Sequence, residues 1–202
     1  MAYASWANPN KTTGNGNDTV SWTGSEHTGR EPRQTIATFS ASGVANKTLT
    51  IVQSGKSEFV TIDSTAAVAK AGGTVTISGT SNSSKLTFTL TGTNGIGLVL
   101  PATYTANSVS TNNGAAISGD PGATQQYNFS ITFTGIAENT TILSKESQLT
   151  VSTNNATTAT CTITQAAGDA YLTISPDTIT IPAAGTPAQS VTVTSNTNWS
   201  IS

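Results

Sequence analysis

The chain has 202 residues, enough for one large domain or two small ones. Only 9% of them are charged, where about a quarter is usual, and the net charge is −2. The eight basic residues are scattered from Lys11 to Lys145 with no stripe to track phosphates, which argues against nucleic acid, and no apolar run approaches a membrane span. Ser, Thr and Asn fill about two-fifths of the sequence. Thr, Val and Ile alternate repeatedly, as in half-buried strands and unlike a disordered chain. The predicted class is all-β: two immunoglobulin-like sandwiches, one of them written in permuted order. The single cysteine, Cys161, lies in an apparent strand and is expected to be a buried, inert thiol. Met1 to Trp6 offers neither a basic n-region nor an apolar h-region, so synthesis without a secretion signal is expected.

Residues 1–55 read as strands and turns. Trp6 to Pro9 leads into a Lys11–Asp18 turn cluster, Thr19 to Trp22 alternates as a strand, and Gly24 to Pro32 is a polar loop. Gln34 to Phe39 and Thr48 to Gln53 are further strands around a turn at Ser42-Gly43 and Asn46-Lys47. So few strands leave one hydrophobic face uncovered, which predicts the back half of a sandwich.

Residues 56–168 carry a complete set. It begins with Phe59–Ile62, Ala67-Val68, the Gly72-Gly73 turn, Thr74–Ile77 and Lys85–Leu90. After Ile96–Tyr104 and a loop-rich excursion come Tyr127–Phe133, Ser147–Val151 and Ala159–Gln165. Short strands at this density describe an immunoglobulin-like sandwich, and no amphipathic helix is expected.

Residues 169–202 begin the pattern again and stop halfway. Tyr171–Ile174 repeats Phe59–Ile62 at a spacing of 112 residues, the spacing that also separates Ile51 from Ile163 and Gln53 from Gln165. Thr178–Gly185 parallels the run ending at Gly73, Ser190–Thr194 corresponds to Thr74–Ser78, and Asn198–Ile201 falls where the preceding domain has Leu86–Phe88. In residues 1–55, Val20 and Trp22 match Phe129 and Ile131, and Ile36–Thr38 match Leu149–Val151. A front half at the end and a back half at the start together make one domain. The expected strand-docking set is Tyr171, Ile174, Ile179, Ile181, Val191, Val193, Trp199 and Ile201 against Trp6, Val20, Trp22, Ile36, Phe39 and Ile51. Closure within one chain, closure on a neighbour and truncation of a longer tandem array all stay open at this stage.

The joined order resembles a BACON domain, the immunoglobulin-like module common in Bacteroidetes. The resemblance rests on Leu172–Pro176, the Val191–Trp199 strand, Trp6 and Pro9, the Gly14–Asn17 turn, Arg33–Thr38 and the closing Thr48–Gly55. It is weaker in residues 56–168, which keep Ile163–Gln165 but have Leu86 and Phe88 where the tryptophan belongs. The resemblance implies proximity to carbohydrate, because such modules sit in glycan-handling proteins, often as spacers. Similar modules occur in virion proteins of crAss-like phages, and a chain without a secretion signal looks more like that group.

No constellation points to catalysis, so no enzymatic activity and no cofactor are expected. His27 is the only histidine, without a Cys/His cluster for zinc or a second base for a triad. Asn15–Asp18 lacks the acidic run and distal Glu of a calcium loop, and Gly14-Asn15-Gly16 has no third glycine or helix for a dinucleotide. Trp6 and Trp22 are the candidate glycan-stacking rings, with a core or rim position as their structural alternative. The expected function is a non-enzymatic auxiliary or decorating protein on the capsid surface of a virion, partnered by itself and the major capsid protein. The alternative is an adhesion module for bacterial-surface or mucus glycans.

Overall fold

A computed structural model describes residues 3–92, 95–185 and 187–202. The described residues form strands and no helix, so the protein is all-β. The first four strands are β1 (Ala7–Pro9), β2 (Trp22–Gly24), β3 (Arg33–Phe39) and β4 (Lys47–Gln53). The next are β5 (Val60–Ile62), β6 (Thr65–Val68), β7 (Gly73–Ser81), β8 (Leu86–Thr91) and β9 (Thr103–Ala106). They are followed by β10 (Val109–Asn112), β11 (Tyr127–Ile136), β12 (Lys145–Thr153) and β13 (Thr158–Gln165). Last come β14 (Leu172–Ser175) and β15 (Thr192–Ser195).

Strands β5 to β13 make a closed sandwich, with a five-stranded sheet in the order β10-β9-β11-β7-β5 and a four-stranded sheet in the order β6-β13-β12-β8. Alternation drives it: in β11, Tyr127, Phe129, Ile131 and Phe133 point inward and are buried, while Asn128, Thr132 and Thr134 face water. The opposite sheet contributes Leu86, Phe88, Leu149, Val151, Cys161 and Ile163 to the same core. Phe88 spans the layers, its ring 4.8 Å from Tyr104 and 5.7 Å from Phe129. Burying each such aliphatic side chain contributes about 1.5–3 kcal/mol.

Chain reversals follow from local chemistry. Gly72 turns the chain between β6 and β7 at a φ of 76°, donating its N–H to Ala69 O at 2.9 Å. A Cβ there would stand 2.0 Å from Ile136 O, so only glycine fits. Cys161 is a free, buried thiol whose surroundings push its pKa up, which keeps it protonated and unreactive at neutral pH. Tyr127, its phenol raised by burial, donates to Ser83 O at 2.8 Å and ties the start of β11 to the β7–β8 turn.

The remaining strands form isolated pairs: β1 with β2, β3 with β4, and β14 with β15, all antiparallel.

Candidate functional site: two open half-sandwiches

The two ends of the chain are copies of complementary parts of the closed sandwich, and their hydrogen bonds show it. In the sandwich, Ser81 Oγ donates to Phe59 O at 2.7 Å, and Asn82 Oδ1 accepts from Phe59 N at 2.8 Å. At the C-terminal end, Ser195 Oγ donates to Tyr171 O at 2.9 Å, and Asn196 Oδ1 accepts from Tyr171 N at 3.0 Å. Asn82 Nδ2 donates to Ser57 O, and Asn196 Nδ2 donates to Asp169 O. The next residue closes each turn identically: Ser83 N donates to Ser81 Oγ, and Thr197 N to Ser195 Oγ. Gly185 N donates to Pro182 O at 2.8 Å with a φ of 74°, the same turn that Gly72 makes. Residues 169–197 are therefore a second writing of residues 57–83.

The N-terminal end copies the other part. Gln53 Nε2 donates to Ser25 O at 2.9 Å, as Gln165 Nε2 donates to Ala137 O at 2.8 Å. His27 Nε2 lies 2.7 Å from Glu31 O, where Asn139 Nδ2 donates to Leu143 O at 2.8 Å. Lys56 N donates to Gly29 O, and Gly168 N to Thr141 O. The β3–β4 register sets Ala37 against Leu49 and Thr35 against Ile51, just as β12–β13 sets Leu149 against Cys161 and Ser147 against Ile163.

These matches refine the sequence alignment. Ala37 and Phe39, not Ile36 and Thr38, stand for Leu149 and Val151, so Ile36 faces away from the inner surface of its hairpin. The Gln53–Ser25 bond fixes Ser25 in the place of Ala137, and Trp22 lies three residues before Ser25 whereas Ile131 lies six before Ala137, so Trp22 does not match Ile131. Val20 precedes β2 and is half-buried. The shared turn makes Gly185 the counterpart of Gly72, and Ile179 and Ile181 then fall on Ala66 and Val68. The β14–β15 register pairs Ile174 with Val193, as β5–β7 pairs Ile62 with Gly79. Val191 consequently takes the place of buried Ile77.

Pairing separates along one line. Strand pairs internal to a half exist in both the sandwich and its copies: β14–β15 matches β5–β7, and β3–β4 matches β12–β13. The three ladders that join the halves of the sandwich are β7–β11, β8–β12 and the parallel β6–β13. Among the described residues these three have no counterpart at the chain ends. Thr178–Ile181 and Trp199–Ile201, which would be strands beside such partners, have no strand structure.

The apolar side chains on that line lie open. Ile174 is 54% exposed, Ile181 63%, Trp199 51% and Ile201 88%, and Tyr171, Ile179 and Val191 are exposed as well. Val193 is half-buried. On the other half Phe39 and Leu49 are exposed and Ile51 is half-buried, although their counterparts Val151, Cys161 and Ile163 are sealed. Leu49 belongs to this surface and Ala37 lies on the same face already buried; both escaped the sequence-based set. The equal spacing of both strands of the hairpin was the signal for them.

The halves attach at opposite ends of the sandwich. At the Ser81 end, Arg30 Nε and Nη2 donate to Asn82 O at 3.0 and 2.5 Å. Its Nη1 and Nη2 donate to the Asp120 carboxylate at 2.6 and 2.8 Å, and Nε lies 3.2 Å from buried Glu58. That guanidinium holds the Asp120 carboxyl below the usual carboxylate range. Glu58 is further satisfied by Ser84 N and Asn155 N at 3.2 and 3.0 Å. At the Gly73 end, residues 169–202 are attached by an exposed Lys70–Asp169 pair and by Asn196 Nδ2 donating to Thr140 O at 3.3 Å. The position equivalent to Arg30 is Ile142 there, and it makes no such brace.

Other surfaces offer less chemistry. Trp6 is half-buried with the Arg33 guanidinium 4.7 Å over its ring, and Trp22 packs edge-on against Tyr3 at 5.2 Å. An open concavity of about 610 Å³ on the outer face of the five-stranded sheet is lined by hydroxyls and by Asp63, whose carboxylate accepts from Ser78 N at 2.8 Å. Among the described residues no group of three His, Cys, Asp or Glu side chains is placed to hold a metal ion. Among the described residues there is no helix long and apolar enough to cross a membrane. No family model matches the chain, and no curated protein is similar to it.

Proposed function

We propose that the protein is a non-enzymatic structural component of a phage head, an auxiliary or decorating protein that links or decorates capsid subunits by completing its terminal half-domains. The observation that carries this reading is the pair of open, complementary half-sandwiches flanking a closed one. Exposed apolar faces with unpaired strand edges are a liability in a protein that acts alone and a means of connection in one that assembles. The resemblance of the joined halves to BACON modules, some of which occur in virion proteins, supports the location.

The test is the composition of purified particles. Mass spectrometry is expected to find the chain at a fixed ratio to the major capsid protein. Its absence from intact heads would overturn the location. Binding on a glycan array that is lost with Trp6→Ala or Trp22→Ala would favour the adhesion reading instead.

A further inference from the structure

We infer that residues 169–202 of one copy complete residues 1–55 of a second copy, in the register that the closed sandwich uses for its own two halves. This deepens the proposed structural role and rests on its reading of the ends as half-domains; it does not require a phage head.

The argument for a second copy is geometric. One half is fixed at the Ser81 end of β7 and the other at its Gly73 end. Nine residues of strand separate them, roughly 26 Å at the usual rise. Among the described residues no strand pairing or hydrogen bond joins one half of the chain to the other, and their attachments lie at opposite ends of the sandwich. A front half that leaves one end and a back half that waits at the other make a heterologous, head-to-tail contact, which produces a ring or a string.

The argument for the register is the template within the same chain. Thr178–Ile181 takes the place of β6, parallel to β4, because β6 runs parallel to β13. Trp199–Ile201 takes the place of β8 with its two apolar side chains inward, one residue nearer to Thr197 than Leu86–Phe88 is to Ser83, and antiparallel to β3, because β8 runs antiparallel to β12. The Val151–Phe88 pair then becomes Phe39 against Ile201, and the Ser152–Thr87 pair becomes Ser40 against Ser200. Trp199, in the place of fully buried Leu86, closes over the inner face of Ala37, Leu49 and Ile51. The contact takes the exposed apolar side chains of residues 171–201 out of water against Phe39, Leu49 and the half-buried Ile51.

The experiment uses the full chain with cysteines placed by this register. Ser40 and Ser200 are exposed, and Cys161 is buried, so engineered thiols are the reactive ones. Directly opposed residues of an antiparallel pair lie about 4.5–5.5 Å apart, within disulfide reach. Chains carrying Ser40→Cys alone and chains carrying Ser200→Cys alone are mixed and mildly oxidised. A covalent heterodimer is expected as the major product, and the double variant is expected to give a ladder. Ser40→Cys mixed with Thr180→Cys, which the register separates by a whole strand, is expected to stay uncrosslinked. Light scattering on the unmodified chain is expected to show mass rising with concentration in whole-chain steps, and Trp199→Asp to hold it monomeric with the buried Cys161 thiol still protected from modification. No heterodimer from the mixture, or a double variant crosslinked only within the monomer, overturns the inference. A heterodimer from a protein absent from particles sinks the head location alone, and the reverse result sinks the head-to-tail register alone.

Discussion

Thr65–Val68 and Thr178–Ile181 occupy the same place in two writings of the same half-domain, and only the first is a strand. By local preference the order should be reversed, since Thr-Ile-Thr-Ile is richer in β-branched residues than Thr-Ala-Ala-Val. The first has β13 beside it, and among the described residues the second has no strand beside it. Strand structure at this edge comes from the partner's backbone and not from the side chains. The closed sandwich and the open halves therefore use one construction rule, and differ only in whether the ladder across the middle is filled.

That contrast can be broken most forcefully in the core. Ile163→Ala removes a fully buried side chain from the sandwich and is expected to cost about 2–5 kcal/mol. Ile51→Ala, at the matching half-buried position, is expected to cost no more than about 1 kcal/mol in dilute monomer and to weaken assembly instead. Urea titration separates them by colour in a Tyr3→Phe, Tyr171→Phe background, because Trp6, Trp22 and Trp199 all lie in the open halves while Tyr104 and Tyr127 then report on the sandwich alone. Equal losses in the two signals for either variant would mean that halves and sandwich unfold as one unit.

Asn82→Ala is the next largest. It strips the Phe59 N–H and the Ser57 and Ala123 carbonyls of a buried partner, at about 1–3 kcal/mol. Asn196→Ala, removing the same bonds in a more open setting, is expected to cost less than about 1 kcal/mol by the same denaturation.

Acid loosens the Arg30 attachment. The Asp120 carboxyl lies below its ordinary value of 3.8 in the folded state. Its pairing with Arg30 thus stabilises the attachment above that value and is lost as pH falls through the lower folded value. Tryptophan emission and proteolysis of residues 1–56 are expected to show loosening in that acid range, and Asp120→Asn to remove the pH-dependent part. His27→Asn is the smallest change, within about 0.5 kcal/mol, because Asn139 already makes the corresponding bond to Leu143 O in the sandwich.

The repeat itself was legible because Ile51, Gln53, Ile163 and Gln165 keep both their types and their spacing. Register was harder to read. Alternating Thr and Val look alike when slid by one or two residues, and only the turn bonds of Gly72 and Gly185 or the side-chain bonds of Ser195 and Asn196 settle the offset. Ile36 was drawn into the inner face by its hydrophobicity, whereas its neighbour Ala37 is the buried one. The Arg30, Glu58 and Asp120 brace joins residues far apart in the chain and carries no local pattern that a sequence could display.

That brace gives the molecule two unlike joints. The N-terminal joint is triangulated by a guanidinium held between two carboxylates and a carbonyl, so it transmits orientation. The C-terminal joint, with Ile142 in the corresponding place and an exposed ion pair for support, has far less to resist bending. A string of such units would be stiff and compliant by turns, bending at one joint of each link while the other keeps a fixed heading.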